Sequence, residues 1–124
     1  MSFALRVIAA LLILWEPMRF ATEALTVFST IAYRGAIAGV ELVVHGCVAA
    51  LCAAAGLALW NASPDARRLA TIAVVASTVR TIQALFWSSL PNNTPPGDEL
   101  PRAALAAIVG TVAFVILRRS EDRP

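Results

Sequence analysis

The segment from Gly35 to Trp60 carries only two side chains that ionise near neutral pH, Glu41 and His45. It is longer than the roughly 20 residues needed to span the hydrocarbon core of a bilayer. A chain with such a run must bury it in lipid or inside a much larger core than 124 residues can build. The rest of the sequence points to lipid. Residues 67–90 form a second apolar segment, interrupted by Arg80 and Gln83, and Pro101 to Leu117 form a third that ends at Arg118 and Arg119. Pro101 suits a first helical turn, where a missing N–H costs nothing. Overall 59% of residues are hydrophobic and 15% charged, with a mean hydropathy of +0.74, against about 25% charged in a soluble domain.

The N-terminal part is less uniform. Phe3 to Trp15 is strongly apolar but reaches only about 20 Å at 1.5 Å per residue. Glu16 and Pro17 interrupt it, and Phe20 to Tyr33 mixes Thr22, Glu23, Thr26, Ser29 and Thr30 with Leu25, Val27, Phe28 and Ile31. The pattern predicts a first helix over about 3–18 followed by an interfacial segment over about 20–33. One longer helix kinked at Pro17 is the alternative. A secretory signal also opens with a basic residue and an apolar core, but no small-x-small cleavage site follows Trp15 at the right distance. The predicted fold is all-α: one transmembrane domain over residues 1–124, a four-helix bundle with helices at about 3–18, 35–60, 67–90 and 101–118.

Arginine placement predicts orientation. With four crossings, Arg6, Arg67, Arg68, Arg118, Arg119 and Arg123 share one side, while Arg19, Arg34 and Arg102 on the other are offset by Glu16, Glu23, Asp98 and Glu99. The expectation is an inner-membrane protein with both termini in the cytoplasm. Trp15, Tyr33 and Trp87 then fall at the outer interface and Trp60 at the inner one. The outer loop Pro91 to Pro101 holds four of the seven prolines and reads as an ordered, non-helical strap. All ten basic residues are Arg, which together with abundant Ala suggests a GC-rich bacterial source.

An ionisable group at membrane depth costs about 2.5–3.5 kcal/mol on insertion scales, so it faces protein and needs a partner. On the second helix Arg34, Glu41, His45 and Cys52 fall within about 20° of one line at 100° per residue. Beside them runs a line of small residues, Gly35, Gly39, Gly46 and Ala53, which lets another helix come close. The third helix gathers Ala73, Ala76, Ser77, Arg80, Gln83, Ala84 and Trp87 on one side. In an antiparallel pair, Arg80 sits between the depths of Glu41 and His45. The prediction is a buried Arg80 to Glu41 ion pair, with His45 and Gln83 completing its hydrogen bonds. The cluster either pins helix register or lines a site for a polar or anionic ligand, with Arg80 as anion anchor and Glu41 and His45 as the titrating pair. Glu16 and Arg34 are secondary candidates, Glu16 being expected at the interface beside Arg19.

Several chemistries are excluded. There is no glycine-rich phosphate loop, GxSxG or HExxH. One histidine and two cysteines without a CxxC give no structural zinc site. Cys47 and Cys52, about 140° apart on a helix, read as small apolar residues. No cofactor or metal is predicted. Arginines that flank lipid-spanning helices form no nucleic-acid-binding face. The predicted partners are the bilayer and other helices, from a second copy or another membrane protein.

Trp15-Glu16-Pro17 at the end of the first apolar helix, the semi-polar Phe20 to Tyr33, Gly39-Val40-Glu41-Leu42 opening a small-residue second helix, and two further spans together resemble the DoxX-like group of small four-helix bacterial membrane proteins. The resemblance implies an accessory subunit of a membrane redox or sulfur-compound system. Size and an acidic residue after the first apolar run are also similar to small multidrug-resistance exporters, although Pro17 and Arg19 beside Glu16 do not fit a lipid-buried glutamate. An accessory or scaffold subunit is therefore the leading expectation, supported by Ala103, Ala106, Ala107 and Gly110 on the fourth helix. A small transporter or channel and a membrane-embedded enzyme are the alternatives.

Overall fold

Pro17 does not end the first helix. In the computed structural model, which describes residues 2–91 and 94–121, α1 runs unbroken over Phe3–Val27. An internal proline removes one helical hydrogen bond and crowds the preceding turn, at a cost of about 3 kcal/mol. Two local features offset this. Buried Leu5, Ile8, Ala9, Leu12, Glu16 and Val27 lie along one face that continues through the proline. The threonines beyond it satisfy themselves within the helix: the Thr22 hydroxyl donates to the Met18 carbonyl at 2.9 Å and that of Thr26 to the Thr22 carbonyl at 2.8 Å. Residues that read as semi-polar therefore make no demand on water. The expected break near Met18 and the interfacial segment over 20–33 are corrected to a continuous helix and a short 3₁₀ stretch, Phe28–Tyr33. Trp15 accordingly stands in the middle of α1.

Gly35, at φ +95°, takes a backbone turn that L side chains rarely adopt and opens α2, Ala36–Trp60. Residues 61–65 then reverse the chain into α3, Ala66–Phe86. This helix ends four residues before the predicted 90, because Ser88 and Ser89 turn back to bond Glu41. After the proline-rich loop, α4 spans Glu99–Glu121 with Pro101 in its first turn. Arg123, counted above among the cytoplasmic arginines, lies outside the described residues.

The four helices form a bundle in chain order, with α1 against α2, α2 against α3 and α3 against α4. Its interior has three levels. Toward the 61–65 turn, Leu5, Ile8, Ala9, Leu12, Cys52, Ala55, Leu59, Ala70, Ala73 and Leu117 make a continuous apolar core. At the opposite, loop end, Val27, Ala38 and Leu90 form a small cap. A polar layer lies between them. Close packing in the lower core depends on Gly56, where an added Cβ would stand 2.7 Å from Ile13 Cγ1 and 2.8 Å from the Ala9 carbonyl oxygen.

The outside is as apolar as the inside. Ile37, Val40, Val43, Leu105, Ile108 and Val112 are all exposed, far more than water tolerates. Helices α2, α3 and α4 are each long and apolar enough to cross a membrane. Helix α1, with Arg6, Glu16, Arg19 and Glu23, is not among them. Among the described side chains of α4 only Ala103 and Leu117 are buried, because α4 packs on α3 and meets α1 only slightly. Its small residues serve that packing: Gly110 lies directly against the Thr78 side chain.

Candidate functional site

Helix periodicity assembles the polar layer. Carried past Pro17, α1 presents Glu16, Arg19, Phe20 and Glu23 at i, i+3, i+4 and i+7, one above another on one face. Glu41 and His45, one turn apart on α2, and Ser77, Arg80 and Thr81 on α3 meet them. Glu16, Glu41, His45 and Arg80 are buried, the least covered being Glu41 at 9% exposure.

His45 is the hub. Its Nε2 lies 3.0 Å from Glu16 Oε1 and its Nδ1 2.8 Å from Glu23 Oε1. The edge of Phe20 packs against the imidazole at a centroid separation of 5.5 Å. Glu16 Oε2 accepts from the Ser77 hydroxyl at 3.0 Å and from Arg19 at 3.3 Å, and Arg19 also donates to the Thr81 hydroxyl at 3.0 Å. Glu23 Oε1 is shared with Arg80 Nη2 at 3.3 Å. That same Nη2 lies 3.3 Å from Glu41 Oε2, while Arg80 Nη1 donates to Gln83 Oε1 at 2.8 Å. Glu41 is completed by the Ser88 hydroxyl and by the Ser89 amide at 2.7 Å.

Hydrogen-bond accounting gives this network one proton beyond those of its two guanidinium groups. Ionised carboxylates only accept, and a neutral imidazole has a single N–H. Two carboxylate bonds to one imidazole therefore require an extra proton, carried on the ring or on a carboxyl. The charge sum agrees: three carboxylates face two guanidinium groups, and one further proton makes the layer neutral. Neutrality matters where each uncompensated charge costs several kcal/mol.

Glu41, Arg80 and Gln83 thus lie together, with Arg80 between the other two. His45 joins them differently from the prediction, bonding Glu16 and Glu23 rather than Arg80. Glu16 is paired with Arg19, but in the bundle interior instead of at an interface. Arg34 is separate. The turn at Gly35 detaches it from the α2 stripe, and it is exposed with its Nε bonded to the Thr30 hydroxyl at 2.8 Å. Glu23, Ser77, Thr81 and Ser88 are the site residues that sequence reasoning missed. A signal for Glu23 existed: it follows Glu16 by seven residues, in phase with Leu5 and Leu12.

Between α1, α3 and α4 the weak α1–α4 contact leaves an open cleft of about 650 Å³. Glu16, Arg19, Glu23, Ser77, Thr81 and Ser88 line it on the cluster side, Arg102 and Thr94 lie at its loop end, and Ile8, Leu12, Trp15, Val74 and Ala113 line its deeper part. Among the described residues no group of three or more His, Cys, Asp or Glu is placed to hold a metal ion. Cys52 is buried, with its Sγ 3.8 Å from the Ala73 carbonyl oxygen, and Cys47 is exposed. Comparison with protein-family models, with characterised proteins and with solved structures found no match to the chain.

Proposed function

We propose that this chain is a polytopic inner-membrane protein with both termini in the cytoplasm, and that its polar layer is a proton-exchanging site serving a ligand cleft open sideways to lipid. In this reading it is a small proton-linked carrier or receptor for a polar-headed, lipophilic ligand. One observation carries the reading. Glu23 bonds both the buried His45 and the buried Arg80, yet is itself 19% exposed and borders the cleft. A ligand that engages Glu23 draws on the same carboxylate charge that holds the imidazole and the guanidinium, and so changes where the shared proton rests. A layer that served only to hold helix register has no need of a carboxylate at the cleft wall.

Infrared difference spectroscopy in lipid nanodiscs across an acid-to-alkaline step tests this. A carboxyl C=O band that titrates in the wild type and is altered by Glu23→Gln supports exchange. A pH-silent cluster sinks the proposal and leaves a structural latch. Orientation is tested separately with an impermeant maleimide, using single cysteines at Ser63 or Gly97 in a chain lacking Cys47 and Cys52. Position 97 should label from outside intact cells and position 63 only after lysis.

A second reading, an accessory or scaffold subunit of a membrane complex, is favoured by Gly39. An added Cβ there meets nothing within 4 Å, and Val40 and Val43 beside it are exposed, so a partner helix has room to approach. The redox-linked role implied by the DoxX-like resemblance belongs to this reading. A defined protein retained stoichiometrically through mild-detergent purification, and lost in Gly39→Leu, would support it.

A further inference from the structure

The cleft separates its polar and apolar surfaces by height. Ser77 bonds Glu16 and Thr81 bonds Arg19, so α1 and α3 run in register. Glu23, seven residues above Glu16, then stands about 10 Å closer to the loop end at 1.5 Å per residue. On α4, which runs the opposite way, Gly110 marks the Thr78 level, and Arg102 lies eight residues, or about 12 Å, above it. Arg102 and Glu23 therefore border the cleft at nearly the same height from opposite walls, with Arg19 one turn below Glu23. Deeper in the cleft only apolar side chains such as Leu12, Val74 and Ala113 remain.

The charged groups at the loop end retain bonding capacity. No described residue bonds the second oxygen of Glu23, Oε2. Among the described residues Arg19 bonds through Nη1 alone, to Glu16 and Thr81, which leaves Nη2 and Nε of a side chain that is 29% exposed. Arg102 is exposed, and among the described residues its side chain makes one long bond, of 3.3 Å to Thr94. A wall offering one carboxylate oxygen and two guanidinium groups matches a headgroup that joins an anion to a hydrogen-bonding cation.

Taking the cleft as lipid-facing, as in the reading above, we infer that its occupant is a membrane lipid whose headgroup links a phosphate to a primary ammonium. The phosphate lies between Arg19 and Arg102, where guanidinium groups form paired, charge-assisted bonds. The ammonium donates to Glu23 Oε2, and an acyl chain descends past Trp15. A quaternary ammonium has no N–H to give Glu23, and a glycerol headgroup has no cation, so both bind more weakly.

Trp15 provides the readout. In a Trp60→Phe, Trp87→Phe background it is the sole tryptophan, and its quenching by brominated-chain lipids reports occupancy of the cleft. With the full chain in vesicles, brominated phosphatidylethanolamine should quench at a several-fold lower mole fraction than brominated phosphatidylcholine or phosphatidylglycerol. Glu23→Gln should erase the preference over phosphatidylglycerol. Arg102→Gln, which lies outside the buried network, should weaken all three lipids without altering the fold. Equal quenching by the three headgroups, or a preference unchanged in both variants, overturns the inference alone. Absence of quenching by any brominated lipid overturns the lipid-facing cleft itself.

Discussion

The apolar core near the 61–65 turn and the polar layer above it are built from the same helices, yet they are held together by different physics. In the lower level Ala9, Ala55, Ala70 and Ala73 are fully or almost fully buried, and cohesion comes from close approach of backbones. In lipid no hydrophobic drive separates helix from solvent, so small-residue packing is the main attraction available. Half a helix length higher, ten or so polar groups interlock through one histidine. The lower level is tolerant, because many small contacts share the load. The upper level is more strongly coupled, since removing one member leaves others short of a partner. Cohesion and specificity are therefore divided between the two ends of the bundle.

The largest effect is expected at the hub. His45→Leu leaves the buried Glu16 and the partly exposed Glu23 without their shared partner, and breaking a buried ionic network of this kind costs about 3–5 kcal/mol. Thermal unfolding in detergent should show it more destabilised than Leu12→Ala in the apolar level, and the reverse order would break the distinction between the two levels. Next come Arg80→Leu and Glu41→Gln, singly and together. Each single change should destabilise, and the double variant should cost less than their sum by about 0.5–3 kcal/mol, as expected for directly interacting groups. Strict additivity would place the two side chains in separate networks.

Two glycines sharpen the comparison at smaller scale. Gly56→Ala forces a methyl against the Ala9 carbonyl and Ile13, and overpacking of this kind costs about 1–3 kcal/mol. Gly39→Ala meets nothing within 4 Å and should stabilise α2 by about 0.5–1 kcal/mol through the reduced flexibility of alanine. Opposite signs at two glycines of one helix would locate the tight seam at α1; equal signs would contradict it.

What could be read from sequence follows from how local each cause is. Gly35 to Trp60 announces a helix because its apolarity is continuous. Glu41 and Arg80 could be matched because a five-residue turn between antiparallel helices leaves little freedom of register. Glu23 was hidden by two misleading local signals, a proline that normally ends a helix and threonines that normally seek water. The threonines are satisfied by carbonyls of their own helix, and the helix that continues past the proline carries Glu23 to partners, His45 and Arg80, that lie far away in the chain. Of the small residues Ala103, Ala106, Ala107 and Gly110, Gly110 meets Thr78 of α3 and Ala107 is exposed, because a small-residue face does not encode whose helix it will meet. Arg34 was aligned with Glu41 by assuming helix through Gly35, a residue whose positive φ ends that assumption.

The division of labour among the helices has a consequence for biosynthesis. Helix α1 carries Glu16, Arg19 and Glu23 and falls short of the apolarity that α2, α3 and α4 possess. Its charges find their partners at His45, Ser77, Arg80 and Thr81, on helices translated tens of residues later. On emerging from the ribosome α1 is therefore expected to be a client rather than a resident of the bilayer until α2 and α3 bring the groups that bond its charges. No described side chain of α4 bonds Glu16, Arg19 or Glu23, so this helix can arrive afterwards as a side wall. In such a chain the order of synthesis and the order of membrane entry need not coincide.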